Sequence, residues 1–287
     1  MMTLSGHTKP YAVLGHPIGH SLSPVMHNAS FAALGLDAVY LAFDVNPGNL
    51  MEVLPAMQAM GFGGVNLTIP LKEVAFRGLS RLDESAQVLG AVNTVQFTAD
   101  GMVGHNTDGY GFLRDMDEAF GVTLAGASMF VLGCGGAGRA VALMAAGAGI
   151  SQITLADIDR AKLRAVEEEV TSRYPMTGIK IVSENQDQVR ACRAADLVVQ
   201  ATPVGMKPGD RPLLGPEAFH AGQCAYDLIY MFPETVFMAQ ARQGGARTAN
   251  GLGMLLHQGA RAFTIWTGQT PDLGAMRAAL QAAVYPS

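Results

Sequence analysis

The chain has 287 residues, of which 49% are hydrophobic and 15% charged, and it carries a net charge of −5. That length and composition give room for two domains and a large buried core, while the mild acidity supplies no field to gather nucleic acid or an anionic membrane. Three scattered cysteines without a CxxC argue against a disulfide frame, and neither a signal peptide (MMTLSGHTKP has no apolar stretch) nor a membrane span of ~20 apolar residues is expected, which fits a cytoplasmic protein.

In chain order, YAVLG (11–15) reads as a strand and SPVMHNASFAALG (23–35) as a helix, with Ser23 as cap and Pro24 in its first turn. VYLAFDV (39–45) is a strand, and PGNLMEVLPAMQAMG (47–61) a helix ending at Gly61. GGVNLT is a third strand, followed by a helical stretch to about Leu89. AVNTVQF and GMVGHN read as two strands joined by a turn at Asp100-Gly101. A helix over 107–120 leads into a second alternation. Its expected strands are SMFVLG, QITLADI, IKIVS, LVVQAT and CAYDLIY, with helices over GGAGRAVALMAAG and 159–173. Helices over 251–267 and 272–284 close the chain.

Repeated βαβ units imply an α/β protein with mostly parallel sheets covered by helices on both faces. No low-complexity linker interrupts the pattern. The domain seams therefore fall in ordinary loops near 107 and 249, giving domains 1–107 (completed by 250–287) and 108–249.

VLGCGGAGRA places Gly133, Gly135 and Gly138 in GxGxxG spacing between a strand and a helix, with Gly136 and Ala137 completing the turn. The first glycine permits the tight turn, the second lets the backbone approach a pyrophosphate, and the third allows close helix–strand packing. The helix N-terminus then offers free N–H groups to the phosphates. Plain helix–sheet packing is the alternative. Asp157 ends the next strand, where a carboxylate can accept both hydroxyl hydrogens of an adenosine ribose and repel a 2′-phosphate. Capping the helix that follows, which Asp157 or Asp159 could serve, is the plainer role. Arg160 lies close by and keeps NADP open beside NAD.

Polar residues outside that segment gather near predicted strand ends, where ligands bind in open α/β sheets. Ser21 and Ser23 precede the first helix and suit a carboxylate. Asn66, Thr68 and Lys72 follow the third strand, Asn93 lies in GAVNT, and Asn106-Thr107-Asp108-Gly109 starts the helix at 107. Each alone has a bland reading as a turn, a cap or a solvated charge. The seven histidines show no metal-ligand spacing, so no metal is expected.

GHPIGHSLSPVMHN, GVNLTIPLKE, GAVNT, GHNTDGYGF, GCGGAGRA and GLGMLLHQ resemble the shikimate dehydrogenase family of shikimate and quinate dehydrogenases, in the same order and across essentially the whole chain. The resemblance implies a substrate-binding domain built from both ends of the chain and a Rossmann-like NAD(P)-binding domain inserted between them. It also implies reversible conversion of 3-dehydroshikimate to shikimate, with quinate as an alternative substrate and a non-catalytic sensor as a remote alternative. On the same basis Lys72 and Asp108 are the catalytic pair. Ser21, Ser23 and Tyr230 hold the substrate carboxylate, and Asn66, Thr68, Asn93 and Gln258 orient the ring hydroxyls. Thr202 and Gly251 line the nicotinamide end. NADP-using members carry a basic cluster, often beginning Asn-Arg, where this chain reads LADIDRAK. That departure favours NAD. A monomer or a homodimer is expected.

Overall fold

The structure, a computed structural model, describes residues 4–207 and 209–285, so the first three residues of MMTLSGHTKP lie outside the described residues. The chain divides into two units, Met1–Gly111 with Leu255–Ser287, and Phe112–Met254. The α/β class with mostly parallel sheets is the class observed.

In the first unit, strands β1 (Lys9–Gly15), β2 (Ala38–Asp44), β3 (Gly64–Leu67), β4 (Thr94–Thr98) and β5 (Gly101–His105) form one sheet in the order β2-β1-β3-β4-β5. β1 pairs in parallel with β2 and β3, and the last three strands run antiparallel. Alternation along β1 sends Ala12 and Leu14 to one face and Tyr11 and Val13 to the other, and all four are buried. On the first face lie helices α2 (Leu50–Ala59) and α3 (Leu71–Gly78), through Leu50, Leu54, Leu71 and Ala75. On the second lie α1 (Ser23–Ala33) and α10 (Leu252–Thr267), through Phe31 and Phe263.

Several local expectations need correction. The helical stretch expected up to Leu89 divides into two helices, α3 and α4 (Glu84–Leu89), because Asp83 adopts an extended backbone and caps α4 through the Ser85 N–H at 3.0 Å. The helix from Pro47 begins as a short 3₁₀ turn, Pro47–Asn49, capped by Asn46. Ser23 is not the cap of α1. Leu22 occupies that position, and Ser23 lies inside the first turn with no capping bond.

Helix α5 (Asp108–Phe120) leads into the second unit. There follow β6 (Ser128–Leu132), α6 (Gly136–Gly147), β7 (Gln152–Ala156), α7 (Arg160–Arg173), β8 (Gly178–Ile181), α8 (Asn185–Ala194), β9 (Leu197–Gln200), β10 (Cys224–Asp227), α9 (Val236–Gln243) and β11 (Arg247–Asn250). The sheet is wholly parallel in the order β11-β10-β9-β6-β7-β8. Numbered from the first strand of this unit, that is the doubly wound order 3-2-1-4-5-6 read from the β8 edge. Its central strands are continuous apolar runs because helices cover both faces. CAYDLIY is a strand only through Asp227, whose carboxylate turns the chain by accepting the Ile229 N–H. Helices α8 and α9 and strand β11 were not expected. α11 (Leu273–Val284) ends the described chain.

Candidate active site

The order of the first sheet reverses between β1 and β3, so the segments leaving their carboxyl ends run side by side. Thr68 N–H donates to Leu14 O at 2.9 Å, and His16 N–H to Ile69 O at 3.3 Å. These bonds set the turn that carries Ser21 and Ser23 beside the segment that carries Thr68 and Lys72. Ser21 Oγ accepts the Ser23 N–H at 3.3 Å, which tightens that turn.

Lys72 stands in the first turn of α3 and its Nζ lies 2.6 Å from Asp108 Oδ2, with both side chains largely shielded. Asp108 opens α5 but does not cap it. Asn106 Oδ1 accepts the Asp108 N–H at 2.9 Å, which leaves the Asp108 carboxylate for other partners. Asn106 is itself fixed by bonds to Ala91 O and Ser85 Oγ.

Asn93, only 2% exposed, ties the parts together. Its Oδ1 accepts the Thr107 N–H at 2.8 Å, and a backbone N–H can only donate, so Nδ2 must face the other way. There it donates to Asp108 Oδ1 at 2.8 Å and reaches Thr107 Oγ1 at 2.9 Å. Gln258 Oε1 lies 3.5 Å from the same nitrogen, and its Nε2 is held by Leu255 O. Asn66, on β3, is also buried, bonded to Tyr40, Thr94 and the Asn93 carbonyl. Of the expected residues in this unit, the structure links Lys72, Asp108, Asn93, Gln258 and Asn66 through hydrogen bonds. Thr68 lies just past the end of β3.

In the second unit the order reverses between β6 and β9. Gly133 follows β6 with φ +99°, and a Cβ there would meet Thr202 Cγ2 at 2.8 Å, just past β9. Gly138 lies against Gly133, whose carbonyl oxygen would be 1.8 Å from an added Cβ, so only glycine lets α6 approach β6 this closely. At Gly135 and Gly136 a Cβ would meet nothing within 4 Å. That open space in front of the N–H groups of Gly136, Ala137 and Gly138 at the start of α6 suits a pyrophosphate.

Asp157 Oδ2 accepts the Cys134 N–H at 2.6 Å and Oδ1 the Asp159 N–H at 2.8 Å, which anchors the carboxylate beside the glycine loop with lone pairs to spare. Asp159, not Asp157, caps α7, through the N–H groups of Ala161 and Lys162. Ile158 is fully exposed. Gly251 lies against Leu228, whose carbonyl oxygen would be 2.3 Å from an added Cβ. Tyr230 follows β10 in this unit, and burial pushes its hydroxyl pKa up. Sequence reasoning missed Tyr40 and Thr94, which carry polar bonds but sit within strands that read as core.

Residues 13–95 match the family model for the shikimate dehydrogenase substrate binding domain, and residues 251–281 that for the shikimate 5'-dehydrogenase C-terminal domain. The chain is 43% identical over 299 residues to the shikimate dehydrogenase (NADP(+)) of Moorella thermoacetica, covering 100% of this chain and 97% of that one. The chain belongs to the shikimate dehydrogenase family. Among solved structures, the family's shikimate 5-dehydrogenase from Listeria monocytogenes, in complex with shikimate and NAD, superposes with a TM-score of 0.91 at 34% identity, covering 98% of this chain and 99% of that one. Quinate dehydrogenase from Corynebacterium glutamicum, in complex with NAD, superposes with a TM-score of 0.87 at 31% identity, covering 96% and 99%. Among the described residues, no group of three or more His, Cys, Asp or Glu could hold a metal ion, and no helix is long and apolar enough to cross a membrane.

Proposed function

We propose that this shikimate dehydrogenase family member interconverts shikimate and 3-dehydroshikimate, with NAD preferred over NADP. The observation that carries the activity is the 2.6 Å contact of Lys72 with Asp108, oriented on its far side by Asn93. The bound dinucleotide supplies the hydride acceptor at its nicotinamide ring. As the carbinol C–H leaves as hydride with its electron pair, the hydroxyl proton passes to the Lys72–Asp108 pair and the carbonyl forms. In the reverse direction the pair returns the proton. Such general acid–base help is worth ~10² to 10⁴-fold in rate. A non-catalytic sensor would have no need of both members of the pair.

Ser21 and Ser23 would receive the substrate carboxylate, and Thr68, Asn66 and Gln258 the ring hydroxyls. With both its N–H groups and its oxygen engaged within the protein, Asn93 serves mainly to aim Asp108. Gly133 to Gly138 with Thr202 and Gly251 would hold the dinucleotide, and Asp157 the ribose hydroxyls.

The cofactor preference rests on Asp157 and Ile158. A carboxylate next to an exposed apolar side chain puts a like charge, and no hydrogen-bond donor from Ile158, where a 2′-phosphate would sit, with Arg160 the cation that keeps NADP usable. The relative from Moorella thermoacetica is named for NADP(+), so the proposed NAD preference differs from that relative's and rests on Asp157 and Ile158 of this chain. A second reading, with quinate as substrate, is supported by the likeness to quinate dehydrogenase from Corynebacterium glutamicum. Initial rates with shikimate and quinate, each with NAD and NADP, test both readings. A lower KM for NAD is expected, and a clear NADP preference would overturn the cofactor assignment.

A further inference from the structure

Asn66 is held at its polar atoms by groups outside the proposed catalytic chemistry. Its Nδ2 faces the Asn93 carbonyl oxygen at 3.0 Å and Thr94 Oγ1 at 2.9 Å. A carbonyl oxygen only accepts, so the atom facing it is the nitrogen and the amide orientation is determined. On the other side, Asn66 Oδ1 accepts from the Tyr40 hydroxyl at 2.6 Å. Both N–H groups and one of two oxygen lone pairs are therefore engaged. What Asn66 presents to a ligand is one acceptor lone pair.

The two holding groups are themselves fixed. Tyr40 is fully buried, and its backbone N–H and C=O are both bonded to the Asn28 side chain, at 2.8 and 2.9 Å. Its ring stacks on His27 with centroids 4.3 Å apart and an interplanar angle of 8°. The Ser23 side chain lies beside the same hydroxyl, which brings the expected carboxylate site next to Asn66. Thr94 is also fully buried. It accepts from Asn66 and passes its proton to Asn93 Oδ1 at 2.9 Å.

We propose that Tyr40 and Thr94 are positioning residues that lock Asn66 as an acceptor, so that this corner of the site reads a hydroxyl of a polyol acid as its donor. An ether or carbonyl at that place would meet lone pair against lone pair. Flipping the amide offers no escape, because Oδ1 would then face the Asn93 carbonyl. The inference rests on the functional reading above, and wild-type rates separate the two: a wild type inactive on both shikimate and quinate rejects that reading, whereas the lock is read from the variants.

In the active enzyme, Tyr40→Phe should raise KM for the polyol acid about tenfold, with kcat within about twofold and KM for the dinucleotide unchanged, the signature of lost uniform binding. Thr94→Val should shift KM the same way and Thr94→Ser should restore it, which decides the matter if Tyr40→Phe does not fold. In the ligand-free protein, the Asn66 side-chain NH₂ resonances, identified by their loss in Asn66→Asp, should exchange with water about tenfold faster in Thr94→Val than in wild type or Thr94→Ser, because one N–H loses its acceptor. Unchanged KM in the folded variants, or equal exchange rates in Thr94→Val and wild type, overturns the proposal.

Discussion

Lys72 Nζ and Asp108 Oδ2 meet at 2.6 Å although the two residues lie on different helices, and the other Asp108 oxygen is held by Asn93 Nδ2 at 2.8 Å. Asn106 bonds the first N–H of α5 in place of Asp108, so the carboxylate is not spent on its own helix. The pair is thus an assembled unit, as the proposed proton transfer requires.

Replacing Lys72 by Ala should lower kcat by ~10² to 10⁴-fold with a modest change in KM, because the lost interaction belongs to the proton transfer. Steady-state kinetics at saturating dinucleotide read this directly. A Lys72→Ala enzyme with near-normal kcat would remove Lys72 from the chemistry.

The cofactor assignment makes a reciprocal prediction. Asp157→Ser combined with Ile158→Arg removes the carboxylate and adds a cation where a 2′-phosphate would sit. The ratio of kcat/KM for NAD over NADP should fall by at least about tenfold, roughly the worth of a single charge-assisted hydrogen bond. No movement of that ratio would place cofactor choice elsewhere.

Glycines of one motif should behave differently when replaced. Gly138→Ala drives a Cβ into the Gly133 carbonyl oxygen and should destabilise the fold by ~1–3 kcal/mol through overpacking. Gly135 has φ −65° and open space before it, so Gly135→Ala should leave thermal stability near wild type while weakening dinucleotide binding. Thermal melts beside a binding titration separate the two effects. Equal melting temperatures for both variants would contradict the packing role of Gly138.

These contrasts show what was legible in the sequence. The glycine loop could be read because its spacing between a strand and a helix stands out against an apolar background, whereas joining Lys72 to Asp108 took the family resemblance, since each alone reads as a solvated charge or a cap. Strand β11 (RTAN) could not, since a four-residue edge strand with three polar members carries no alternation to detect. Helix α8 buries little beyond Cys192, so its apolar stripe is nearly absent. Tyr40 and Thr94 were hidden for the opposite reason: aromatic and β-branched residues are what a strand favours, and only three-dimensional structure shows where their hydroxyls go.

Two buried groups should give the protein opposing responses to pH. Burial pushes the His27 pKa down to about 3, and among the described residues neither ring nitrogen has a hydrogen-bond partner. The unfolded chain takes up that proton near pH 6.5, so stability is lost as pH falls from about 6.5 towards 3, on the order of 5 kcal/mol in all. Asp227 runs the other way. Burial raises its pKa to about 6 despite hydrogen bonds from Thr235 and Ile229, so stability falls as pH rises from about 4 to 6, by on the order of 3 kcal/mol.

Single variants should unmask each slope. His27→Phe keeps an aromatic ring against Tyr40 and should flatten the acid side of the stability profile below pH 6.5. Asp227→Asn can still accept the Ile229 N–H and can donate to Thr235, so it should gain stability relative to wild type at pH 8 but not at pH 4. Denaturant melts of the three proteins between pH 4 and 8 test both signs. A His27→Phe profile parallel to wild type would show that the imidazole is not kept neutral by the fold. An Asp227→Asn advantage that does not grow between pH 4 and 6 would show that the buried carboxyl ionises as freely in the native state as in the unfolded chain.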